Sequence, residues 1–490
     1  MNFLKKLALV SMLFVMLFTS ISGATADYTD APLVRISLDE WIGWKSLIDA
    51  NGGLKTAPGS LNALSGLNIE YVAMNDATMS SSALINGELS AAGYTINRYS
   101  FLQDRFNNVG LDVVMPFITN YSNGGDGIIA TANIKSVKDL AGKKIAVPRF
   151  SEAQPLVEWL IRNSSLTEKE QKAIRKSMVY CETADDAARM FFSGSVDAAA
   201  TWEPYLTQAK NSTESGILFS TEMSTNLILD GLVFRQDFLD ENPDFLPKLI
   251  DNALQAAPMY KTEFAYIRQM PMFELMSDEE IIDMASGADL CTWEDNRELL
   301  NGVAKSVYHD MAEIWQGIGE VAYPDEAENA FTDKYVSMLS DKYAGMVDEK
   351  SESNFTDANR MIAFEADNDD ALLGYNIDIK FALNSWEIQR VSYEELDRFV
   401  EIAKILNGAY IQIEGNASLR NRGVTDAQIV EFALGRAEAV AKYFESKGID
   451  RERIITTSNG DSNPIADNST EAGRAANRRT DIYFKVGVGY

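Results

Sequence analysis

Trp202, Glu203 and Tyr205 place an indole, a carboxylate and a phenol almost side by side. Trp41 and Trp44 form a second aromatic pair, and Asp230 lies inside the apolar run 226–234, NLILDGLVF. Aromatic faces attract organic cations, and nearby carboxylates add charge. A buried, unpaired aspartate is costly, so Asp230 needs either a cleft or hydrogen bonds from a crossing segment. Another chemistry is available at Ser151, just before a helix with Pro155 in its first turn. Free N–H groups and the helix dipole there suit an anion. Asp76, Tyr94 and Thr95 are pocket candidates by their position at strand exits. Each candidate also has an ordinary role: Asp76 and Ser151 can cap helices, and Trp41 or Trp44 can pack beneath one.

Residues for turnover are scarce. The single histidine, His309, falls in a plain amphipathic run, 307–315. Cys181 and Cys291 are the only cysteines, and neither belongs to a metal-ligand cluster. They can pair or remain free thiols, and their spacing does not decide which. No catalytic residue, metal or cofactor is expected.

The elements that must carry these residues alternate. In 183–205, Thr183 can cap a helix with Asp186 at capping-box spacing. Ala187, Ala188, Met190 and Phe191 supply its apolar stripe. Gly194 suits a left-handed helix end. Residues 196–201 fit a buried strand, and Pro204 suits the first turn of the next helix. Trp202 and Glu203 therefore sit at a strand's C-terminal end, the edge where open α/β sheets bind ligands. The pattern repeats earlier. Strand 33–38 leads to Trp41 and Trp44 and then helix 45–50. Strand 67–74 leads to Asp76, helix 77–85 and the short strand 90–92, before Tyr94 and Thr95. Residues 109–117 read as a strand crossing between lobes, and 120–127 (NYSNGGDG) as a hinge or binding loop.

The chain has 490 residues, enough for two or three domains, and 46% are hydrophobic. A net charge of -28 argues against a nucleic-acid partner. Residues 1–26 read as a secretory signal: Lys5 and Lys6, an apolar run at 7–18, and a small-residue cleavage site at Ala24-Thr25-Ala26. The expected location is the periplasm or cell envelope.

The order Phe191, Gly194, Val196-Asp197-Ala198-Ala199 and Trp202-Glu203-Pro204-Tyr205 resembles ABC-importer solute-binding proteins of the nitrate/sulfonate/taurine type. The Trp41-x-Gly43-Trp44 turn and the Ala50-Asn51-Gly52-Gly53 helix end are similar to theirs. The run from Asp139 to Val147 resembles one that leads into the second lobe of such proteins. The resemblance implies a bilobal α/β periplasmic-binding-protein-like domain over 27–340. Lobe one is expected at about 33–117 and 220–340, and lobe two at about 118–219. It also implies a small-molecule solute and an importer permease as partners. Trp41, Trp44, Asp76, Thr95, Ser151, Trp202, Glu203 and Asp230 are the candidate ligand contacts.

Residues 341–374 read as a polar linker. A separate α/β sandwich follows: a strand alternating at Ile377, Ile379 and Phe381, helix 393–406, strand 409–414, helix 426–447, and strands 454–457 and 480–485. Gly415, Arg436-Ala437, Gly448-Ile449, Asn463-Pro464, Gly473-Arg474-Ala475 and Asn477-Arg478-Arg479 resemble the OmpA-like peptidoglycan-binding domain, here over 375–490. That family grips the diaminopimelate of the wall peptide with an aspartate and an arginine. Arg436 corresponds to the arginine, Arg478 to a supporting position, and Asn416 lies in the turn that bears the aspartate. Ser418 replaces that aspartate, so the ligand's ammonium loses its charge partner.

The leading expectation is an exported importer component that captures an organic or anionic solute and is tethered to peptidoglycan. An envelope sensor or scaffold without transport is the alternative, followed by an enzyme of the same fold.

Overall fold

The computed structural model describes residues 28–321, 329–346, 355–382, 385–418 and 423–485. The expected export signal at 1–26 and part of the expected linker, 347–354, lie outside the described residues.

The chain builds three sheets. β1 (Val34–Leu38), β2 (Ile69–Ala73), β3 (Ala91–Thr95) and β4 (Val113–Ser122) start the first. β5 (Asp126–Thr131), β6 (Ile145–Pro148), β7 (Met178–Cys181), β8 (Ala198–Trp202) and β9 (Ser215–Ser220) form the second, in the order β7-β6-β8-β5-β9. β10 (Leu229–Arg235) and β11 (Ala288–Leu290) return to the first, giving β11-β4-β10-β3-β1-β2. β1 pairs in parallel with β2 and β3, whereas β10 runs antiparallel between β3 and β4. The two sheets are thus mixed, and each is the core of one α/β lobe.

The chain crosses between these sheets twice, at 123–125 and 221–228. β4 stays in the first sheet to Ser122, so the first crossing lies a few residues beyond the expected lobe boundary at 118. The Thr221 hydroxyl ties the crossings together: Gly124 N–H donates to it at 3.0 Å, and it lies 2.8 Å from the Ser122 hydroxyl.

Local sequence explains the elements. Thr183 accepts from the N–H of Asp186 and caps the Ala184–Phe192 helix. Gly194 follows it with φ 74°, the left-handed turn glycine tolerates. β6 and β8 are buried throughout apart from the half-buried Trp202, and their small or branched side chains fit a sheet covered on both faces. The helix Ile96–Asn107 follows β3 directly and went unread in the sequence, although Ile96, Tyr99, Leu102 and Phe106 bury one helical face. Residues 245–317 are largely helical and close the first lobe with an aromatic cluster. Tyr99, Tyr308 and Phe331 meet edge to face at centroid distances of 5.4 to 6.1 Å, the arrangement ring quadrupoles favour.

The third sheet holds β12 (Leu373–Ile377), β13 (Tyr410–Asn416), β14 (Ile454–Gly460) and β15 (Thr480–Lys485) in the order β12-β15-β13-β14. The helices Tyr393–Ile405 and Asp426–Ser446 accompany it. Its first strand starts inside the stretch expected to be linker and ends at Ile377. Phe381 continues the alternation but makes only an isolated bridge with Ile388. The expected linker also holds a helix, Asp357–Glu365.

This third unit is seated on the second crossing. Gly408 N–H donates to the Met223 carbonyl at 3.0 Å, and the Ser224 hydroxyl donates to the Ile405 carbonyl at 2.6 Å. Thr225 N–H donates to Asn407 Oδ1 at 2.9 Å, and Asn226 donates to the Lys404 carbonyl at 3.0 Å.

Candidate ligand-binding site

The strand ends of both lobes meet around Arg98. Thr95 ends β3, and its hydroxyl accepts from the Arg98 N–H at 3.0 Å, capping the helix. That fixes Arg98 in the first turn, facing the crevice. Its guanidinium reaches Asp39, just beyond β1, at 3.3 Å and Glu152, at the head of the Ala153–Arg162 helix, at 2.8 Å. Asp39 belongs to the six-stranded lobe and Glu152 to the five-stranded lobe, so the arginine bridges the two.

More carboxylates line the same region. Asp126 opens β5 and accepts from the Ser122 hydroxyl at 2.7 Å. Asp230 lies on β10, paired with Thr95 on one side and Asn120 on the other. It is 4% exposed, and among the described residues its carboxylate has no hydrogen-bond or ion-pair partner. Trp41 donates its indole N–H to Asn120 Oδ1 at 3.0 Å, and its half-buried ring packs against the core. Its ring lies against Gly125, where a Cβ would come within 3.1 Å of it and 2.5 Å of the Gly287 carbonyl oxygen. Only glycine allows this approach of crossing strand and indole. Trp202 ends β8, half-buried and paired with Asp126.

Burial and mutual repulsion shape the charges. Burial pushes the Asp126 carboxyl up to about 7, with Glu152 adding to the rise. Burial raises Asp39 against the pull of Arg98. Asp230 is raised well above the carboxylate range, first by burial and then by Asp39, Asp126 and Glu152. Acidic side chains outnumber the guanidinium here, and burial favours the protonated forms of Asp126 and Asp230 until a cation enters.

Several candidates are committed elsewhere. Trp44 is fully buried and donates to Asp39 at 2.6 Å, so it orients a carboxylate and offers no face to a solute. Gly93 makes room for its ring. Asp76 caps the Ala77–Ile85 helix, accepting from the N–H groups of Thr78 and Met79. Glu203 turns to Thr207, accepting from its N–H at 3.1 Å and its hydroxyl at 2.9 Å. Ser151 donates to the Pro148 carbonyl and accepts from Ala153 N–H, and the residue at the helix N-cap is Glu152. Thr95 serves as the cap that aims Arg98. Trp41, Trp202 and Asp230 remain at the crevice. Sequence reasoning passed over Asp39, Arg98, Asp126 and Glu152. A signal existed for Asp39, Asp126 and Glu152, since each is a carboxylate at a strand end or helix start; Arg98 gave none without its helix.

A second recess lies in the third unit, a groove of about 970 Å³ lined by Phe381, Ser418, Phe432, Arg436, Arg474 and Arg478 among others. Arg436 is 8% exposed and sits between the rings of Phe381 and Phe432, at 4.9 and 4.8 Å from their centroids. Its Nε has no hydrogen-bond partner. Burial, helped by Arg478, lowers its pKa to about 10. It stays charged at neutral pH and is available to an anion. Arg478 pairs with Glu471 at 2.9 Å at the rim. Asn416 does not line the groove. It is 1% exposed and donates to Asp481 at 2.9 Å, inside a polar network with Glu414 and Asn459. A buried amide needs such partners, and Asn416 ends strand β13 instead of lying in a turn over the groove.

Among the described residues no group of histidines, cysteines and carboxylates is arranged to hold a metal ion, and no helix is long and apolar enough to cross a membrane. Cys181 and Cys291 are free thiols.

Two family models match the chain. A family model described as NMT1/THI5 like matches residues 63–261, and an OmpA family model matches residues 380–478. Outer membrane protein A of Bordetella avium is 34% identical over 108 residues, 22% of this chain and 54% of that protein. The peptidoglycan-binding protein ArfA of Mycobacterium tuberculosis (strain ATCC 25618 / H37Rv) is 33% identical over 104 residues, 21% of this chain and 31% of that protein. The chain therefore spans about half the length of the first relative and a third of the second. The putative aliphatic sulfonates-binding protein of Bacillus subtilis (strain 168) is 25% identical over 255 residues, 49% of this chain and 68% of that protein. Among solved structures, the periplasmic aliphatic sulphonate binding protein SsuA from Escherichia coli superposes with a TM-score of 0.50 at 17% identity, over 63% of this chain and all of that one. That likeness is one of fold. The chain joins an NMT1/THI5-like domain with the bilobal fold of periplasmic binding proteins to a C-terminal OmpA-family domain.

Proposed function

We propose that this protein is an exported solute-binding component of an ABC importer. It captures a small solute between the six-stranded and five-stranded lobes, and its OmpA-family domain holds it to peptidoglycan. The observation that carries the reading is the Arg98–Glu152 contact: it joins the lobes across a crevice lined by buried charged groups at the strand ends. Closure of two lobes around a ligand is how a hinged binding protein signals its loaded state to a permease. The sulfonate-binding relative of Bacillus subtilis and the peptidoglycan-binding relative of Mycobacterium tuberculosis support the two halves. No residue in this reading has a catalytic role, and nucleic acid has no place in it.

A thermal-shift screen of amines, sulfonates, nitrate and phosphate tests solute capture, because a ligand that binds only the folded state raises the melting temperature. Sedimentation of the full chain with purified cell wall tests the tether. A screen with no hit and a protein that stays in the supernatant would defeat both halves.

One observation favours a sensor instead. The OmpA-family domain is hydrogen-bonded to Met223, Ser224, Thr225 and Asn226, on a crossing segment that any lobe closure must move. Wall attachment and cleft closure are then linked, and linkage is reciprocal. Wall fragments that shift solute affinity, in a chain whose deletion leaves solute uptake intact, would select this reading over import.

A further inference from the structure

We infer that the solute is an organic ammonium compound, its charged nitrogen seated against Asp230 and its apolar part against Trp41 and Trp202. This rests on the reading of the crevice as the solute site, and it names the chemical class that the crevice takes.

The argument starts from charge. Asp39, Asp126, Glu152 and Asp230 are all buried or half-buried around the guanidinium of Arg98. Arg98 is shared between Asp39 and Glu152. Asp126 has the Ser122 hydroxyl. Asp230 has no hydrogen bond of its own and only the more distant charge of Arg98 acting on it, although it is 4% exposed and sits between Thr95 and Asn120. A buried carboxylate without a partner is costly. An incoming cation with N–H donors removes that cost, and charge-assisted hydrogen bonds are about twice as strong as neutral ones.

Trp41 is the second, independent observation. Its N–H is already bonded to Asn120 and the residue is half-buried against the core, so any part it offers a ligand is ring. Indole is the best aromatic partner for a cation or the carbon atoms beside one. Trp202 enters from the opposite lobe, at the end of β8.

An anion fares poorly in the same place. The helix N-terminus that suits one, at Ala153–Arg162, is headed by Glu152, and the Ser151 hydroxyl is already engaged. A sulfonate would meet acidic groups from both lobes, with Arg98 already paired to Asp39 and Glu152 and only its Nε uncommitted. Like charges at close range repel and select against such a ligand. The crevice thus departs from the ligand printed in the names of its sulfonate-binding relatives.

The test is a thermal-shift and calorimetric comparison on the full chain. The probes are n-propylammonium, putrescine, propanesulfonate, nitrate and magnesium ion. The ammonium probes should raise the melting temperature, with propanesulfonate and nitrate silent. Asp230→Asn should weaken putrescine binding at least tenfold while circular dichroism stays native. Asp126→Asn, on the other lobe, should weaken it by a smaller factor and serves as the check if Asp230→Asn fails to fold. Propanesulfonate or nitrate binding with the ammonium probes silent would overturn the inference and leave solute capture standing. Magnesium acting as well as putrescine would overturn it in favour of an inorganic site. Silence from every probe would count against the inference and the solute-capture reading together.

Discussion

Arg98 and Glu152 form an ion pair at 2.8 Å that joins one lobe to the other. Arg98 rides on the helix after β3, and Glu152 stands at the head of the helix after β6. Both are largely buried, and Arg98 also contacts Asp39 at 3.3 Å. The contact is therefore a charge bridge inside the protein, largely away from solvent screening.

Removing one side of that bridge should be expensive. Arg98→Met leaves Asp39 and Glu152 buried without a counter-charge, and breaking a buried pair in this way costs about 3–5 kcal/mol. Urea unfolding should show a loss of that order for Arg98→Met. The loss for Glu152→Gln should be smaller, because Asp39 keeps its partner. Equal and negligible losses would show that the lobes do not depend on this contact.

The acidic crevice should make the unliganded protein less stable as pH rises. Asp126 is held at about 7 when folded, against about 4 for a free aspartate. The folded state keeps a proton that the unfolded chain releases, so this contribution is full below about pH 4 and lost as pH passes through about 7. The groups facing Asp126 are Glu152, Arg98 and Asp39, with Asp230 coupled to the same set. Asp126→Asn should melt at least about 2 °C above the wild type at pH 8 and close to it at pH 4. A difference that is flat with pH would mean that Asp126 does not titrate there.

Trp202→Ala should weaken solute binding about tenfold, roughly 1.4 kcal/mol. The residue is half-buried at a strand end, so the fold should survive with a small shift in melting temperature. Calorimetry with the solute found by screening is the measurement. Unchanged affinity in a folded variant would remove Trp202 from the site.

Arg436→Ala should abolish sedimentation with cell wall. The guanidinium is the buried charge of the groove, stacked between Phe381 and Phe432. Arg436→Lys should recover only part of the binding, because an ammonium cannot match a carboxylate with two parallel hydrogen bonds or stack in the same way. Full binding by Arg436→Ala would place wall contacts outside this groove.

The sequence by itself determined the parts governed by local rules. The helix over 77–85, the final strand over 480–485, the Thr183 cap and the division into a bilobal part and an OmpA-like part all follow from caps, periodicity and short motifs. It also placed Trp41, Trp202 and Asp230 at strand ends or inside a strand of the binding lobes. Tertiary structure decided which candidates face the crevice. Trp41 and Trp44 look alike in sequence, but one indole lies along the crossing strand at Gly125 while the other is locked beneath it on Asp39. Asp76 and Asp230 are both aspartates at strand positions. One caps a helix that begins beside it, and the other is left unpartnered by neighbours more than 100 residues away. Arg98 gave no signal at all, because its two carboxylates come from distant points on the chain and meet it only when two sheets align their strand ends. Local preference fixes an element's type through near-neighbour sterics and hydrogen bonds; a side chain's charge partner is set by which elements the fold stacks together.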